Sequence, residues 1–299
     1  MKEAANNKSK KIRIGIIIFL CLVIAFCLIM ILFATEKYRV AGNLYTTTEE
    51  KVIPVKSGVP DYDYDALKKI NPDAVGWIYS KDWMSYPIVQ GEDNDYYLHH
   101  LIDGTWNDCG TLFVDYNDKK GLNGTYCTVY GHNMNDGSMF GNLDQLESED
   151  FYKAHSSVDV YVGYKHYKYK IISAFTTPVD SFVFTAKYEK VKPSVFVKEA
   201  RKQCLYETDE IEVNSKSHVM VLSTCTNNSD YAYRYVAILV RDDNASPDTE
   251  IKEVTKINEG DSTDATYTRT IGERLEAFWK AIKNFFMHTF GGAFNSGGE

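Results

Sequence analysis

Three side chains in this 299-residue sequence have the types and spacing for acyl-group chemistry. Cys225 ends the run Val219-Met220-Val221-Leu222-Ser223-Thr224-Cys225, which reads as a buried strand opening onto the polar stretch Thr226-Asn227-Asn228-Ser229-Asp230. A cysteine at that point is accessible, and its thiolate is a strong nucleophile. Arg234 lies nine residues later, at the start of Tyr233–Arg241. In an antiparallel hairpin with its tip at Ser229-Asp230, residues 225 and 234 are equally far from the tip and face each other, with Cβ atoms about 4.5–5.5 Å apart. A guanidinium beside the sulfur favours the thiolate and binds a developing oxyanion. His132 closes Thr128-Val129-Tyr130-Gly131-His132-Asn133, just past another strand and after a glycine that permits an unusual turn. Each residue alone has an ordinary reading: a small core cysteine, a loop histidine, a solvated arginine. Together they supply a nucleophile, a proton carrier and an anion stabiliser.

Short aromatic and β-branched runs must position these groups. The clearest are Trp77–Ser80, Met84–Val89, Thr111–Tyr116, Tyr126–Tyr130, Val158–Val162, Lys168–Phe175, Val219–Cys225 and Tyr233–Arg241, separated by turn residues such as Gly121-Leu122-Asn123-Gly124. Regular spacing of this kind predicts a barrel or a sandwich. Asp61–Ile70 reads as a short helix ended by Asn71-Pro72-Asp73, a segment that also has the composition to start another. Pro193–Tyr206 interrupts the strand pattern. Its proline near the start and its Val197, Ala200, Arg201 and Cys204 at helical spacing predict a helix between two strands.

The N-terminal segment differs in kind. Lys2, Lys8, Lys10, Lys11 and Arg13 against Glu3 give residues 1–13 a net charge of +4, which leaves −12 for the rest of a chain whose total is −8. An uncharged, mostly aliphatic run follows from Ile14 to Ala34, and its twenty-one residues span about 30 Å as a helix, a bilayer's hydrocarbon thickness. A cleaved signal peptide has a shorter apolar region and a small-residue cleavage site. Ala34-Thr35-Glu36-Lys37 offers a poor one, so an uncleaved single-pass anchor is expected, with its basic flank cytoplasmic and the bulk of the chain extracellular. Residues 35–60 read as a polar stalk. The acidic balance argues against nucleic-acid binding. Cys21 and Cys27 fall in the apolar run, and the four outside it, Cys109, Cys127, Cys204 and Cys225, match no stapled scaffold and contain no C-x-x-C. Residues 243–270 read as a polar linker. Beyond it Ile271, Leu275, Phe278, Trp279, Ile282, Phe285, Phe286 and Phe290 line one face of an amphipathic helix within 271–299, and its charged residues exclude a membrane span.

Leu222-Ser223-Thr224-Cys225, with Arg234 downstream and Tyr130-Gly131-His132-Asn133 upstream, resembles the active-site signature of the sortases, membrane-anchored cysteine transpeptidases of mainly Gram-positive bacteria. The resemblance covers residues 61–242. It includes Val75-Gly76-Trp77-Ile78, Tyr86-Pro87-Ile88-Val89-Gln90, Asn94–Leu98 and Gly110-Thr111-Leu112-Phe113-Val114-Asp115, and the helix before the cysteine strand is similar to the insertion of class B sortases. It implies a mainly β fold with flanking helices: a closed eight-stranded barrel behind one N-terminal transmembrane helix. It implies Cys225 as nucleophile, His132 as general acid and Arg234 as oxyanion and substrate anchor, with Asn94, Leu98, Tyr130 and Ser223 holding the sorting motif. No metal and no cofactor are expected, since the class A calcium site has no counterpart here. The implied substrates are secreted proteins with a C-terminal sorting signal, joined to an amine of a peptidoglycan precursor or of a pilin. A hydrolytic cysteine peptidase and a non-enzymatic surface binding protein are the alternative readings. The C-terminal extension, 243–299, departs from the family's compact ending.

Overall fold

The apolar run at 14–34 forms the middle of one continuous helix, α1 (Lys2–Val52). The structure is a computed structural model, which describes residues 2–56, 59–187, 190–226 and 232–245. The tip of the Cys225–Arg234 hairpin, most of the expected linker and the amphipathic helix at 271–290 lie outside the described residues. Side chains such as Ile14, Phe19, Leu22, Phe26 and Phe33 stand exposed on α1, and the segment Lys11–Val52 is long and apolar enough to cross a membrane.

The helix does not end where the apolar run ends, so the polar stalk expected at 35–60 is corrected. Ala41, Tyr45, Thr48 and Val52 recur at intervals of four, three and four residues and are all buried. They form a narrow stripe of mixed polarity that docks α1 against the rest of the fold, and the hydrophobic pattern conceals it because Tyr and Thr stand where aliphatic residues usually do. A two-residue antiparallel pair, β1 (Val55–Lys56) with β2 (Val59–Pro60), follows. Helix α2 (Tyr64–Ile70) starts at Asp63, whose carboxylate accepts from Ala66 N at 2.8 Å, and stops at Asn71. No second helix starts there. Strand β3 begins at Ala74 instead.

Eight strands close a barrel: β3 (Ala74–Ser80), β4 (Met84–Val89), β5 (Leu112–Val114), β6 (Tyr126–Tyr130), β7 (Ser157–Val162), β8 (Lys165–Pro178), β9 (Val219–Cys225) and β10 (Tyr233–Arg241). Their order around the barrel is β10-β8-β7-β3-β4-β5-β6-β9. All neighbours are antiparallel except β4 with β5 and β6 with β9. The parallel contact between β6 and β9 brings the C-terminal ends of these two strands to the same end of the barrel.

Helix α3 (Glu149–Ala154) precedes β7, and two helices, α4 (Phe182–Thr185) and α5 (Pro193–Arg201), lie between β8 and β9. Phe196, Val197 and Ala200 of α5 pack with Val219, Val221, Val236, Ile238 and Val240, while Met220, Leu222, Ala237 and Leu239 pack in the principal core. Strand β9 is therefore buried on both faces, which accounts for its unbroken apolar run. Only its last residue, Cys225, is exposed.

Candidate active site

The expected pairing holds: Cys225 is the register partner of Arg234 across β9 and β10. Side chains alternate along a strand. Odd-numbered residues of β9 and even-numbered residues of β10 therefore share the face covered by α4 and α5. The thiol and the guanidinium emerge on that face, at the ends of their strands. On the other flank Tyr130 of β6 pairs with Ser223. One residue past the ladder Gly131 N donates to Ser223 O at 3.2 Å, and Thr224 Oγ1 donates to Gly131 O at 2.8 Å. Asn133 Nδ2 then donates to the carbonyl of Cys225 at 2.9 Å. His132 lies between these ties, so the histidine and cysteine segments are laced together at one barrel end.

Gly131 serves this arrangement for a reason other than an unusual turn. Its φ is not in the left-handed region. A Cβ there would lie 2.4 Å from a Leu112 methyl and 2.7 Å from the Phe140 ring. The glycine is a steric requirement that lets the chain pass between two core side chains.

His132 Nε2 lies 2.8 Å from the carbonyl oxygen of Leu98. A carbonyl only accepts, so Nε2 carries a hydrogen and donates it. Nδ1 is then the ring nitrogen not engaged by the Leu98 carbonyl. One guanidinium nitrogen of Arg234 donates to Tyr233 O at 2.9 Å.

A cleft of about 480 Å³ joins these residues. Cys225, His132 and Arg234 line it together with Asn94, Leu98, Tyr130 and Ser223, so the fold brings all seven expected site residues to one place. Phe113, Val179 and Phe184 add apolar wall. The Ser223 hydroxyl is buried and has no hydrogen-bond partner among the described residues. Asn94 is differently placed. Its Nδ2 donates to Asp115 at 3.1 Å and its Oδ1 accepts from Tyr116 N at 2.9 Å, so the amide already serves the cleft wall.

Lys187 and Asp115 line the cleft and, with Asp118 outside its lining, form a charged cluster which sequence reading missed. Lys187 Nζ donates to Asp115 at 2.8 Å and to Asp118 at 2.7 Å. Nothing in the sequence marks the lysine, because its partners lie 72 and 69 residues away. Burial alone would raise the Asp115 carboxyl, but the bonds from Lys187, Asn117 and Asn94 outweigh it and hold the group below the usual carboxylate range. Burial prevails at Asp118, whose carboxyl is raised despite Lys187 and Thr128 N. Lys187 is itself raised, because its two carboxylate partners outweigh its burial.

All six cysteines are unpaired. Burial raises the thiol of Cys109 to about 11, and raises that of the fully enclosed Cys127 further. Burial disfavours the thiolate at both. Among the described residues no group of three or more His, Cys, Asp or Glu is placed to hold a metal ion.

The family model described as "Sortase domain" matches residues 78–241. Sortase B of Listeria monocytogenes is 34% identical over 167 residues, which are 55% of this chain and 68% of that protein. Sortase B of Staphylococcus aureus is 29% identical over 181 residues, 60% of this chain and 73% of the relative. Among solved structures, sortase B from Bacillus anthracis in complex with AAEK1 superposes with a TM-score of 0.57 at 29% identity, covering 69% of this chain and 98% of that one. Clostridium perfringens sortase B gives 0.52 at 28% identity, covering 60% and 99%. A Staphylococcus aureus sortase B–substrate complex gives 0.52 at 25% identity, covering 69% and 91%.

Proposed function

The chain belongs to the sortase family of cysteine transpeptidases and is most like class B sortases, and from that premise we propose that Cys225, His132 and Arg234 are its catalytic residues. The observation that carries the reading is the register: Cys225 opposite Arg234, with His132 beyond the parallel neighbouring strand, all three on one cleft. The donor is the C-terminal sorting signal of a secreted protein, lying in the cleft against Leu98, Tyr130 and Ser223. The unpartnered Ser223 hydroxyl is free to bond the peptide backbone. Asn94 acts by shaping the wall.

The Cys225 thiolate attacks a backbone carbonyl carbon, and the carbonyl π electrons move onto oxygen. Arg234 N–H donors bind that oxyanion. As the intermediate collapses the C–N bond breaks, and the leaving amine takes the proton from His132 Nδ1. A thioester and a free amine result. An acceptor amine then attacks the thioester carbon and gives a proton to His132 as the C–S bond breaks and the thiolate returns. The acceptor is an amine of a peptidoglycan precursor or of a pilin.

Residues 14–34 serve as a single-pass anchor, with 1–13 cytoplasmic and the catalytic domain, residues 61–242, extracellular. An exposed apolar surface as large as that of α1 belongs in lipid rather than in water. Holding enzyme and acceptor at the same membrane raises their effective concentration. The test is product analysis by mass with a donor-peptide library and graded amine acceptors. An amide of the acceptor, absent from Cys225→Ala and His132→Ala, is expected. Hydrolysed acid alone at every acceptor concentration makes the protein a peptidase.

A further inference from the structure

The two segments that hold His132 meet at one tyrosine of α1. The first runs from Leu98 to Thr111. Leu98 O receives the His132 Nε2 hydrogen bond, and Gly110 packs directly against that carbonyl, since a Cβ on Gly110 would lie 2.8 Å from it. Gly110 adopts a φ of +59°, which favours glycine. Its own carbonyl accepts a short hydrogen bond from the Tyr45 hydroxyl, which is also 3.0 Å from Thr111 Oγ1. The second segment is the loop after His132, whose carbonyl accepts from Phe140 N at 3.0 Å. The neighbouring Met139 N donates to the Tyr86 hydroxyl at 3.1 Å. The Tyr86 ring meets the Tyr45 ring edge-on at 5.6 Å.

Further ties fix the same stretch of helix. Asn107 Nδ2 donates to Lys37 O at 3.1 Å, and Lys37 pairs with Asp108 at 3.3 Å. Tyr45 is buried, eleven residues beyond the apolar run. One continuous helix thus connects the exposed apolar segment to the loop whose Leu98 carbonyl accepts from His132.

We propose that Tyr45, on the docked segment of α1, is a positioning residue for His132. The inference rests on the proton-carrier role of His132 and adds how that role is supported. Deleting the hydroxyl frees Gly110 and Thr111, and the Leu98 carbonyl shifts with them. The imidazole then loses its orientation, while Tyr130 and Ser223, held by the β6–β9 ladder, keep their places along the donor cleft.

The experiment uses the full chain in detergent micelles, with Tyr45→Phe and Tyr86→Phe each removing one oxygen and Thr47→Ala as a control on the exposed side of α1. Turnover is read with a donor-peptide library member and a short glycine acceptor. The His132 imidazole is followed by carbon-13 histidine NMR, assigned through His132→Gln. Tyr45→Phe is expected to lower kcat about tenfold with KM changed less than about twofold, because misorientation costs rate more than binding. Its His132 resonance should move, Tyr86→Phe should show a smaller effect of the same kind, and Thr47→Ala none. Unchanged kcat and an unmoved resonance in both tyrosine variants overturn the proposal. Lost turnover with an unmoved His132 resonance overturns it too, since the damage is then general. A moved resonance in an enzyme that retains turnover as His132→Ala upholds the coupling and overturns the proton-carrier role instead.

Discussion

Replacing Lys187 with methionine removes a cation held between two buried carboxylates. Its nitrogen lies 2.8 Å from Asp115 and 2.7 Å from Asp118, and these aspartate side chains are 7% and 5% exposed. Removing one partner of a buried ion pair costs about 3–5 kcal/mol, because the remaining charge is left desolvated. Asp115 keeps its bonds from Asn94 and Asn117, and Asp118 keeps Thr128 N, which places the expected loss near the lower end. For a domain of this size about 3 kcal/mol lowers the melting temperature by roughly 6–12 °C. The pH dependence has a definite sign. In the parent protein Asp115 titrates below its unfolded value, so its contribution is fully present from pH 5 to pH 8 and is lost only in stronger acid, whereas Asp118 titrates above its own and costs stability as pH rises. Without Lys187 the Asp115 carboxyl rises above its unfolded value and that of Asp118 rises further, so the variant binds more protons on folding than the parent and loses more stability as pH rises. The variant's greater proton uptake makes the gap between variant and parent largest at alkaline pH and smaller in acid. Thermal unfolding of the full chain in detergent at pH 8 and pH 5 checks this. A shift below about 2 °C at pH 8, or a gap that widens at pH 5, refutes the reasoning. Asp118→Asn added to Lys187→Met should recover part of the loss.

Arg234→Lys should lose most turnover while the fold stays intact, because an ammonium on a flexible stem does not reproduce the guanidinium's planar fork of donors; full activity removes the role given to the guanidinium. Gly131→Ala should destabilise the barrel end by about 1–3 kcal/mol and depress turnover, since its Cβ meets Leu112 and Phe140; thermal unfolding and rate measurements check both. Brief iodoacetamide treatment at neutral pH should alkylate Cys225 well before the buried Cys109 and Cys127, as read by peptide mass mapping.

The chemistry was legible where it depends on local period and spacing. A two-residue repeat and equal distances from a hairpin tip suffice to place Cys225 opposite Arg234, and both strands run over the expected residues. The histidine needed more, because its approach to the cysteine depends on β6 lying parallel to β9, a pairing between strands almost a hundred residues apart. Long-range contacts of other kinds left no local trace. Lys187 reads as an ordinary surface lysine until the fold carries it to Asp115 and Asp118. The docked face of α1 reads as a polar stalk because Tyr45 is buried through hydrogen bonds to Gly110 and Thr111, and Thr48 is buried without an aliphatic side chain to signal it. Gly131 was recognisable as important, but its reason is space, which only the packing of Leu112 and Phe140 reveals.

The central claim is that Cys225 carries the acyl group and that an amine removes it. Intact-protein mass spectrometry of the full chain, incubated with a donor-peptide library and then with acceptor, tests it most directly. The account predicts an acyl adduct that peptide mapping places on Cys225, that is missing from Cys225→Ala, and that disappears on adding a short glycine or diaminopimelate-containing peptide as the matching amide appears. An adduct on another residue, or turnover that persists in Cys225→Ala, contradicts it.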